Sequence, residues 1–314
     1  MLRLWRGRPA RPAVVAVLLF LLHGQHPVAA EPATAETTPP DAASAQRQAC
    51  NRASFRMVID VGHTREQPGA TSAHGITEYD FNLRLGKVIE RALRDAGFAK
   101  ATLIVTGGPA RQSLFQRVAR ASKLNAQAYL SIHHDSVPEQ FKALWQEDGR
   151  VLSYCDRFSG HSIFISNDNG DRPGSLLFAR LLGNRMKTHG LQYTPHYTEK
   201  FMGSRRRQLV DKEAGVYRYD QLIVLRKTRM PAALLEAGMI VNRTDDAVLA
   251  DPERQQLIAA SAVEAVDAFC AARGGQRPPE VASAARVERT SARTKKRAVR
   301  PVAMKREPDR KKLR

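Results

Sequence analysis

The sequence has few cysteines, few aromatic residues and no long apolar segment. Three cysteines among 314 residues exclude a small scaffold that is held together by many disulfides. The apolar run at residues 13–22 has ten residues, whereas a membrane-spanning helix needs about 20. With 43% hydrophobic and 26% charged residues, the chain can bury a large core, which excludes a fully disordered or collagen-like protein.

Acidic residues are also scarce, with 31 Asp and Glu against 50 Lys and Arg, but the excess of positive charge lies at the two ends. Residues 1–30 carry four Arg and no acid, and residues 274–314 carry 14 Lys or Arg against four acids, so residues 31–273 keep only +5 of the net +19. Because residues 31–273 are only mildly basic, this distribution argues against a domain there that binds nucleic acid. Residues 274–314 lack apolar periodicity, and we expect a disordered basic tail that binds anionic envelope polymers.

The N-terminal segment has the pattern of a signal peptide over residues 1–30. Four arginines precede the apolar run, and Val28-Ala29-Ala30 offers small residues for cleavage. An uncleaved N-terminal anchor is the alternative. Residues 31–49 are rich in Pro, Ala and Thr and predict a linker. We therefore expect an exported, periplasmic or extracellular monomer with one folded domain at 50–273 and no transmembrane anchor after cleavage.

An exported chain folds in an oxidising compartment, where a structural disulfide is expected and one of the three cysteines is left over. Cys50 precedes the first strand of the domain, and Cys270 closes the last helical pattern. We hypothesise a Cys50–Cys270 disulfide because this closure constrains the unfolded chain most. The sequence alone leaves Cys155 open as a partner of either.

The pattern of apolar residues predicts an α/β fold. Short apolar runs predict strands, and apolar residues at helical spacing predict helices. Because strands and helices alternate, we expect a single domain with a mostly parallel, twisted sheet and helices on both faces. The expected strands are 55–60, 101–106, 128–133, 161–166, 222–225 and 232–235; the expected helices are 77–97, 111–125, 173–189 and 252–270; residues 137–160 and 191–215 show no clear period.

Three residues with metal-binding side chains each end an apolar run, which is where the active sites of α/β sheets gather. These residues are His63, His133 and Glu236, and Glu78 opens the first predicted helix. Two imidazoles and one carboxylate with an open fourth position form a catalytic zinc site, and a second carboxylate is then needed as general base. Taken singly, each has a structural alternative, such as a turn histidine or a helix-start acid.

With these residues in place, the chain resembles the zinc-dependent N-acetylmuramoyl-L-alanine amidases of bacterial cell-wall hydrolysis. The matching stretches are V-I-D-V-G-H, G-I-T-E-Y-D-F-N-L, S-I-H-H-D and M-P-A-A-L-L-E-A-G-M-I-V-N. The resemblance implies Zn²⁺ held by His63, Glu78 and His133, with zinc-bound water as nucleophile and Glu236 as general base. It implies hydrolysis of the amide between N-acetylmuramic acid and L-alanine in peptidoglycan. His134 is the alternative third ligand, although neighbours on a strand point to opposite faces.

Other residues have less specific patterns. Asp60 either orients a ligand histidine or stabilises a turn. For Arg117 and Asn125, we expect a place on the helix surface or in its packing rather than a contact with substrate. A loop of rings and cations either contacts sugars and anionic peptide carboxylates or is merely solvated. Its members are Tyr193, His196, Tyr197, Phe201 and Arg205 to Arg207.

Two alternative functions and one question of regulation stay open at this point. A zinc peptidase acting on the stem peptide would use similar ligands, and an inactive wall-binding protein would share the fold. In related amidases that act at cell division, a segment inserted before the catalytic Glu blocks the site until a protein activator removes it. Residues 137–160 and 191–215 lie in that interval, and the sequence shows no inhibitory helix in them.

Overall fold

A seven-stranded sheet organises residues 50–273, which are the residues that this computed structural model describes. The expected signal peptide (1–30), linker (31–49) and basic tail (274–314) lie outside them. No helix within residues 50–273 is long and apolar enough to cross a membrane.

The sheet is mostly parallel. The strands of the described residues are β1 Met57–Val61, β2 Thr102–Ile104, β3 Ala128–Asp135, β4 Ala143–Glu147, β5 Arg150–Tyr154, β6 Ser162–Ile165, β7 Gln208–Asp211, β8 Val216–Arg218 and β9 Ala232–Met239. Seven of them form one sheet in the order β2-β1-β3-β9-β6-β8-β7, while β4 and β5 form a separate antiparallel hairpin. Within the large sheet, only the β6–β9 and β7–β8 pairs are antiparallel.

Helices cover both faces of the sheet. The α-helices of the described residues are α1 Glu78–Asp95, α2 Ala110–Lys123, α3 Arg172–Thr188, α4 Ile223–Arg226, α5 Arg243–Ala250 and α6 Pro252–Arg273. The apolar faces of α1, α3 and α6 share one core with the sheet, and residues of α2 and α4 share a second core on the other face. The predicted α/β fold with a mostly parallel sheet and helices on both faces is confirmed.

Alternation along the strands decides which side chains meet which helices. Met57 and Ile59 of β1 lie in the core under α1, α3 and α6, whereas Val58 lies in the core under α2. In β3, Leu130 and Tyr129 divide in the same way. Because successive side chains of a strand point to opposite faces, polar residues further along these strands also have a fixed side.

The start of α1 agrees with the sequence pattern. The Thr77 hydroxyl accepts a hydrogen bond from the Asp80 backbone N–H at 3.2 Å and donates one to the Asp80 carboxylate at 2.7 Å. This cap satisfies a backbone donor that has no partner within the helix. It also fixes the first helical residue, Glu78, at the edge of the sheet.

The prediction of a strand at 222–225 is wrong. Residues 223–226 form the short helix α4, and the strand beside β6 is β8, six residues earlier. Val224 and Leu225 are both buried, and so short an apolar run fits a buried helical turn as well as a strand. The stretch at 137–160 contains the β4–β5 hairpin, which its mixed composition concealed, and 191–215 contains two 3₁₀ segments and the whole of β7.

A disulfide joins Cys50 to Cys270, as hypothesised. It links the segment before β1 to α6 across 220 residues of sequence. Cys155 is a buried free thiol.

Candidate metal centre

His63 lies two residues beyond β1, where the carboxyl ends of the parallel strands meet. Its backbone has a left-handed φ of 66°, which is uncommon for a residue with a side chain. The guanidinium of Arg117 donates a hydrogen bond to the His63 carbonyl oxygen. A Cβ on Gly62 would lie 2.5 Å from atoms of the His133 ring, so glycine at this position lets the turn approach the second histidine.

Glu78 is held from two sides. It follows the cap residue of α1, and its Oε2 accepts a hydrogen bond from the Ala70 backbone N–H at 3.2 Å. Gly69, with a φ of +81°, brings the loop before α1 against this carboxylate, because a Cβ there would lie 2.4 Å from Oε2. The loop backbone at Gly69 and Ala70 therefore packs directly against the Glu78 carboxylate.

The register of β3 against β9 brings His133 and Glu236 side by side. These two residues are direct partners in the parallel ladder, so their side chains leave the sheet on the same face. The next residue, His134, points the other way, and its Nδ1 lies 2.7 Å from Oδ1 of Asn82 in α1. Only His133 of the adjacent pair therefore reaches the group around Glu78.

His63, Glu78 and His133 converge on one point. Nε2 of His63 lies 3.0 Å from Oε2 of Glu78, and Nδ1 of His133 lies 2.9 Å from Oε1 of the same carboxylate. One donor atom from each residue lies within 4.8 Å of the others. This spacing allows a single ion to contact all three side chains.

The protonation states of these residues suit a metal ion. Burial alone would raise the pKa of Glu78, but hydrogen bonds from His133 and His63 bring that pKa well below its usual range. Burial lowers the pKa of His133, although the Glu78 carboxylate opposes that shift. Metal ions bind ionised carboxylates and neutral imidazoles, which are the forms favoured for Glu78 and His133. The donor set and its charges fit a divalent ion.

The group opens onto a cleft of about 860 Å³. Val151 and Ser153 of the β4–β5 hairpin line one part of it, and Tyr197 and Arg205 of the 191–215 segment line another. The two stretches without clear periodicity are thus walls of the cleft, and neither contains an α-helix within its described residues. Glu236 lines the same cleft, close to the three candidate ligands.

A family model for N-acetylmuramoyl-L-alanine amidases matches residues 57–268, from the start of β1 almost to the end of α6. This match covers the whole sheet and every residue of the candidate centre. The chain belongs to the N-acetylmuramoyl-L-alanine amidase family. The amidase is accordingly a hydrolase of the bacterial cell wall, and its family supports a metal-dependent site.

Individual relatives of the amidase are distant. A Buchnera aphidicola (subsp. Baizongia pistaciae) protein, provisionally named an N-acetylmuramoyl-L-alanine amidase, is 22% identical over 65% of this chain and 91% of its own length. LytH of Staphylococcus aureus, named a probable cell wall amidase, is 25% identical over 69% of this chain and 58% of its own. The crystal structure of the amidase Ami1 from Mycobacterium smegmatis superposes with a TM-score of 0.54 at 18% identity, covering 71% of this chain and 99% of that one. That likeness shows the fold.

Besides Glu78 and Glu236, the cleft of the amidase contains the carboxyl group of Asp135. Asp135 is buried at the end of β3, where its Oδ1 accepts a hydrogen bond from the Tyr197 hydroxyl at 2.9 Å. Burial raises the pKa of Asp135 to about 7. Burial, followed by the negative charges of Asp135 and Glu78, raises the pKa of Glu236 well above its ordinary value. Glu236 Oε2 has no hydrogen-bond partner within residues 50–273.

A buried polar network supports the His63 turn from behind. Arg117 is 1% exposed, so it is a packing residue of α2 and not a surface residue. Its Nε donates to Thr106 Oγ1 at 3.0 Å and forms an ion pair with Asp60, 3.6 Å from Oδ1. The other oxygen of this carboxylate, Oδ2, accepts a hydrogen bond from the Ser131 hydroxyl at 2.8 Å. Arg117 thus connects the Asp60 carboxylate to the His63 carbonyl oxygen.

The sequence predicted no role for Asp135, and only part of the predicted ring-and-cation loop lines the cleft. Asp135 follows the His133-His134 pair, but only the end of β3 and the Tyr197 hydroxyl show that it faces the cleft. Of the ring-and-cation loop, Tyr197 and Arg205 line the cleft, whereas Phe201 packs on Phe158. Asn125 has a left-handed φ of 49° just after α2, which is a helix-ending role.

Proposed function

We propose that this amidase uses a zinc ion to hydrolyse the amide bond between the lactyl group of N-acetylmuramic acid and the L-alanine of peptidoglycan stem peptides. The observation that carries the proposal is the meeting of His63, Glu78 and His133 with Glu236 in one cleft of a chain from this family. Peptidoglycan remodelling or cell separation would be the consequence in the cell.

The choice of zinc follows from the chemistry of the donors. Two imidazole nitrogens and one carboxylate oxygen are a common protein ligand set of catalytic zinc. His63, Glu78 and His133 would hold the ion. When bound, such an ion polarises the substrate carbonyl and makes a water molecule more acidic.

Glu236 is the residue that we assign to proton transfer. It lies beside His133 in the β3–β9 ladder, and one of its oxygens has no partner in the described residues, so it is free to accept a proton from the attacking water. Glu236 would keep that proton until the amine of L-alanine leaves. Glu236 would then deliver the proton to that amine, which balances the reaction.

Mass spectrometry of the soluble products released from purified peptidoglycan tests this proposal. The purified full chain should release stem peptides with a free L-alanine amine, lose this activity with a zinc chelator and regain it when zinc is restored. Glu236→Gln should lower the rate at least about 100-fold while zinc content stays unchanged. Glu253→Gln, an exposed carboxylate at the start of α6, is the matched control.

Other outcomes would contradict the proposal. Shortened peptides that remain attached to sugar would identify a stem peptidase, and binding without cleavage by the zinc-loaded chain would identify a wall-binding protein. Wild-type rates in Glu236→Gln would remove Glu236 from the chemistry. Activity of the purified chain alone would show that no protein activator is required.

We further propose that residues 1–30 direct export, with residues 50–273 as the catalytic domain, and that the basic residues 274–314 attract anionic envelope polymers. The first N-terminal residue of the exported protein should be Glu31, and an uncleaved chain would contradict the signal peptide. Deleting 274–314 removes a net charge of +10 and should weaken wall binding at low salt but not at high salt.

A further inference from the structure

We infer that Arg205 binds a carboxylate of the stem peptide and makes the amidase selective for peptides whose carboxylates are free. The inference rests on the proposed function, because it assumes that the cleft holds a stem peptide. It concerns the wall formed by the 3₁₀ helix Lys200–Arg205 and the residues around it.

Arg205 is placed close to the acidic residues of the cleft without being neutralised by any of them. It lines the cleft together with Asp135, Tyr197 and Glu236. Burial raises the pKa of Glu236, and the positive charge of Arg205 opposes that shift, as it does for Asp135. The side chain of Arg205 nevertheless makes no hydrogen bond, and no ion pair within 4.0 Å, with any residue of 50–273.

The lysine that lines the cleft and the two arginines that follow Arg205 are engaged elsewhere. Lys142, which also lines the cleft, has its Nζ 2.7 Å from Oε1 of Glu139. Arg206 donates from Nε to the Thr198 carbonyl oxygen at 2.8 Å. The guanidinium of Arg207 lies over a tyrosine ring, 3.7 Å from the centroid. Arg205 is therefore the one Arg or Lys among the described lining residues that is available to an anionic ligand.

The backbone holds Arg205 in a defined position. Before Arg205, Met202 is buried and the Phe201 ring stacks on Phe158 with ring centroids 5.4 Å apart, while the helical path bends at Gly203, whose φ is 52°. After the helix, the Arg207 backbone N–H donates to the Tyr197 carbonyl oxygen at 2.8 Å. The segment is thus anchored on both sides of Arg205, which limits the conformational entropy lost when a ligand binds.

The charge of the cleft explains why such a cation is needed. Glu78, Asp135, Glu139 and Glu236 all line the cleft, so its lining has more acids than lysines and arginines. A stem peptide carries carboxylates of its own, and these acids offer them no cationic partner. A guanidinium that pairs with a carboxylate through two parallel hydrogen bonds supplies that partner and fixes the orientation of the peptide.

The test combines variants with two soluble N-acetylmuramoyl tripeptides, one with its carboxylates free and the other with them converted to amides. For the wild type, we expect kcat/KM about 10-fold higher on the free acid. Arg205→Gln should raise KM for the free acid about 10-fold with little change in kcat, and should leave the amidated peptide unaffected. Arg205→Lys should restore part of the preference, and Lys200→Gln, an exposed charge on the same helix, should behave as wild type.

Equal losses on both peptides in Arg205→Gln would show that Arg205 acts as a counter-ion of Asp135 and Glu236, and would overturn the inference. Unchanged kinetics on the free acid would also overturn it. If the wild type cleaved neither peptide, the proposed function would fail separately. Calorimetric binding of the two peptides to wild type and Arg205→Gln would then decide the inference, because the preference for the free acid should still depend on Arg205.

Discussion

Removing the Cys50–Cys270 disulfide should destabilise the amidase strongly without altering its active site. The bond closes a loop of 220 residues, and loop-closure entropy for a loop of that length corresponds to about 5 kcal/mol at 25 °C. For a domain of this size, such a loss lowers Tm by roughly 10–20 °C. The effect belongs to the unfolded chain, which gains freedom when the cross-link is absent.

The experiment compares thermal and urea unfolding of the wild type, of Cys50→Ala/Cys270→Ala and of Cys155→Ala. The double variant should lose about 5 kcal/mol, whereas Cys155→Ala, which removes a buried thiol outside any disulfide, should lose about 1 kcal/mol. Cleavage rates at 25 °C should agree for all three, because neither linked cysteine lines the cleft.

A loss below about 1 kcal/mol in the double variant would refute this reasoning. It would mean that the unfolded chain keeps its two ends close without the bond, so that the cross-link removes little entropy. A large loss of activity at 25 °C with little loss of stability would equally contradict it, since the disulfide would then act on the folded cleft.

Three further variants test other parts of the structure. Gly62→Ala should displace the His133 ring, because the added Cβ would lie 2.5 Å from it, and should lower both zinc content and activity. Arg117→Met should cost roughly 3–5 kcal/mol in urea unfolding, because it leaves the buried Asp60 carboxylate unpaired. Burial lowers the pKa of His161 to about 4, so its stabilising effect is complete above about pH 6.5 and is lost as the pH falls towards 4. His161→Gln should therefore lose about 3 kcal/mol less than the wild type over that interval, and a parallel pH profile would contradict this.

The candidate ligands could be identified from sequence because each lies at the end of a regular pattern. The apolar runs before His63 and His133 end at those residues, and the run Ala232 to Leu235 ends at Glu236. The Thr77 cap marks the start of α1. These features can be recognised from local periodicity, which the sequence shows directly. The general rule that active sites lie at the carboxyl ends of parallel strands then places them together.

The walls of the cleft could not be identified in this way. The 137–160 stretch and the 191–215 segment pack on each other through aromatic contacts, such as Phe141 with Phe201, which have no period along the chain. The roles of Asp135 and Arg205 depend on which of their neighbours are already paired, and this is a property of the folded structure. The prediction of a strand at 222–225 was wrong for a related reason, because so short an apolar run fits a helix and a strand equally.

The β3–β9 ladder has a consequence for how catalytic competence is encoded. Moving β9 by a single residue would set Leu235 or Ala237 against His133 and would turn the Glu236 side chain to the opposite face of the sheet. The hydrophobic pattern that prevents this slip therefore also preserves the reaction. Mispairing would convert a reacting carboxylate into a charge stranded in the core beneath α1 and α3, so the enzyme would lose activity and stability in the same event.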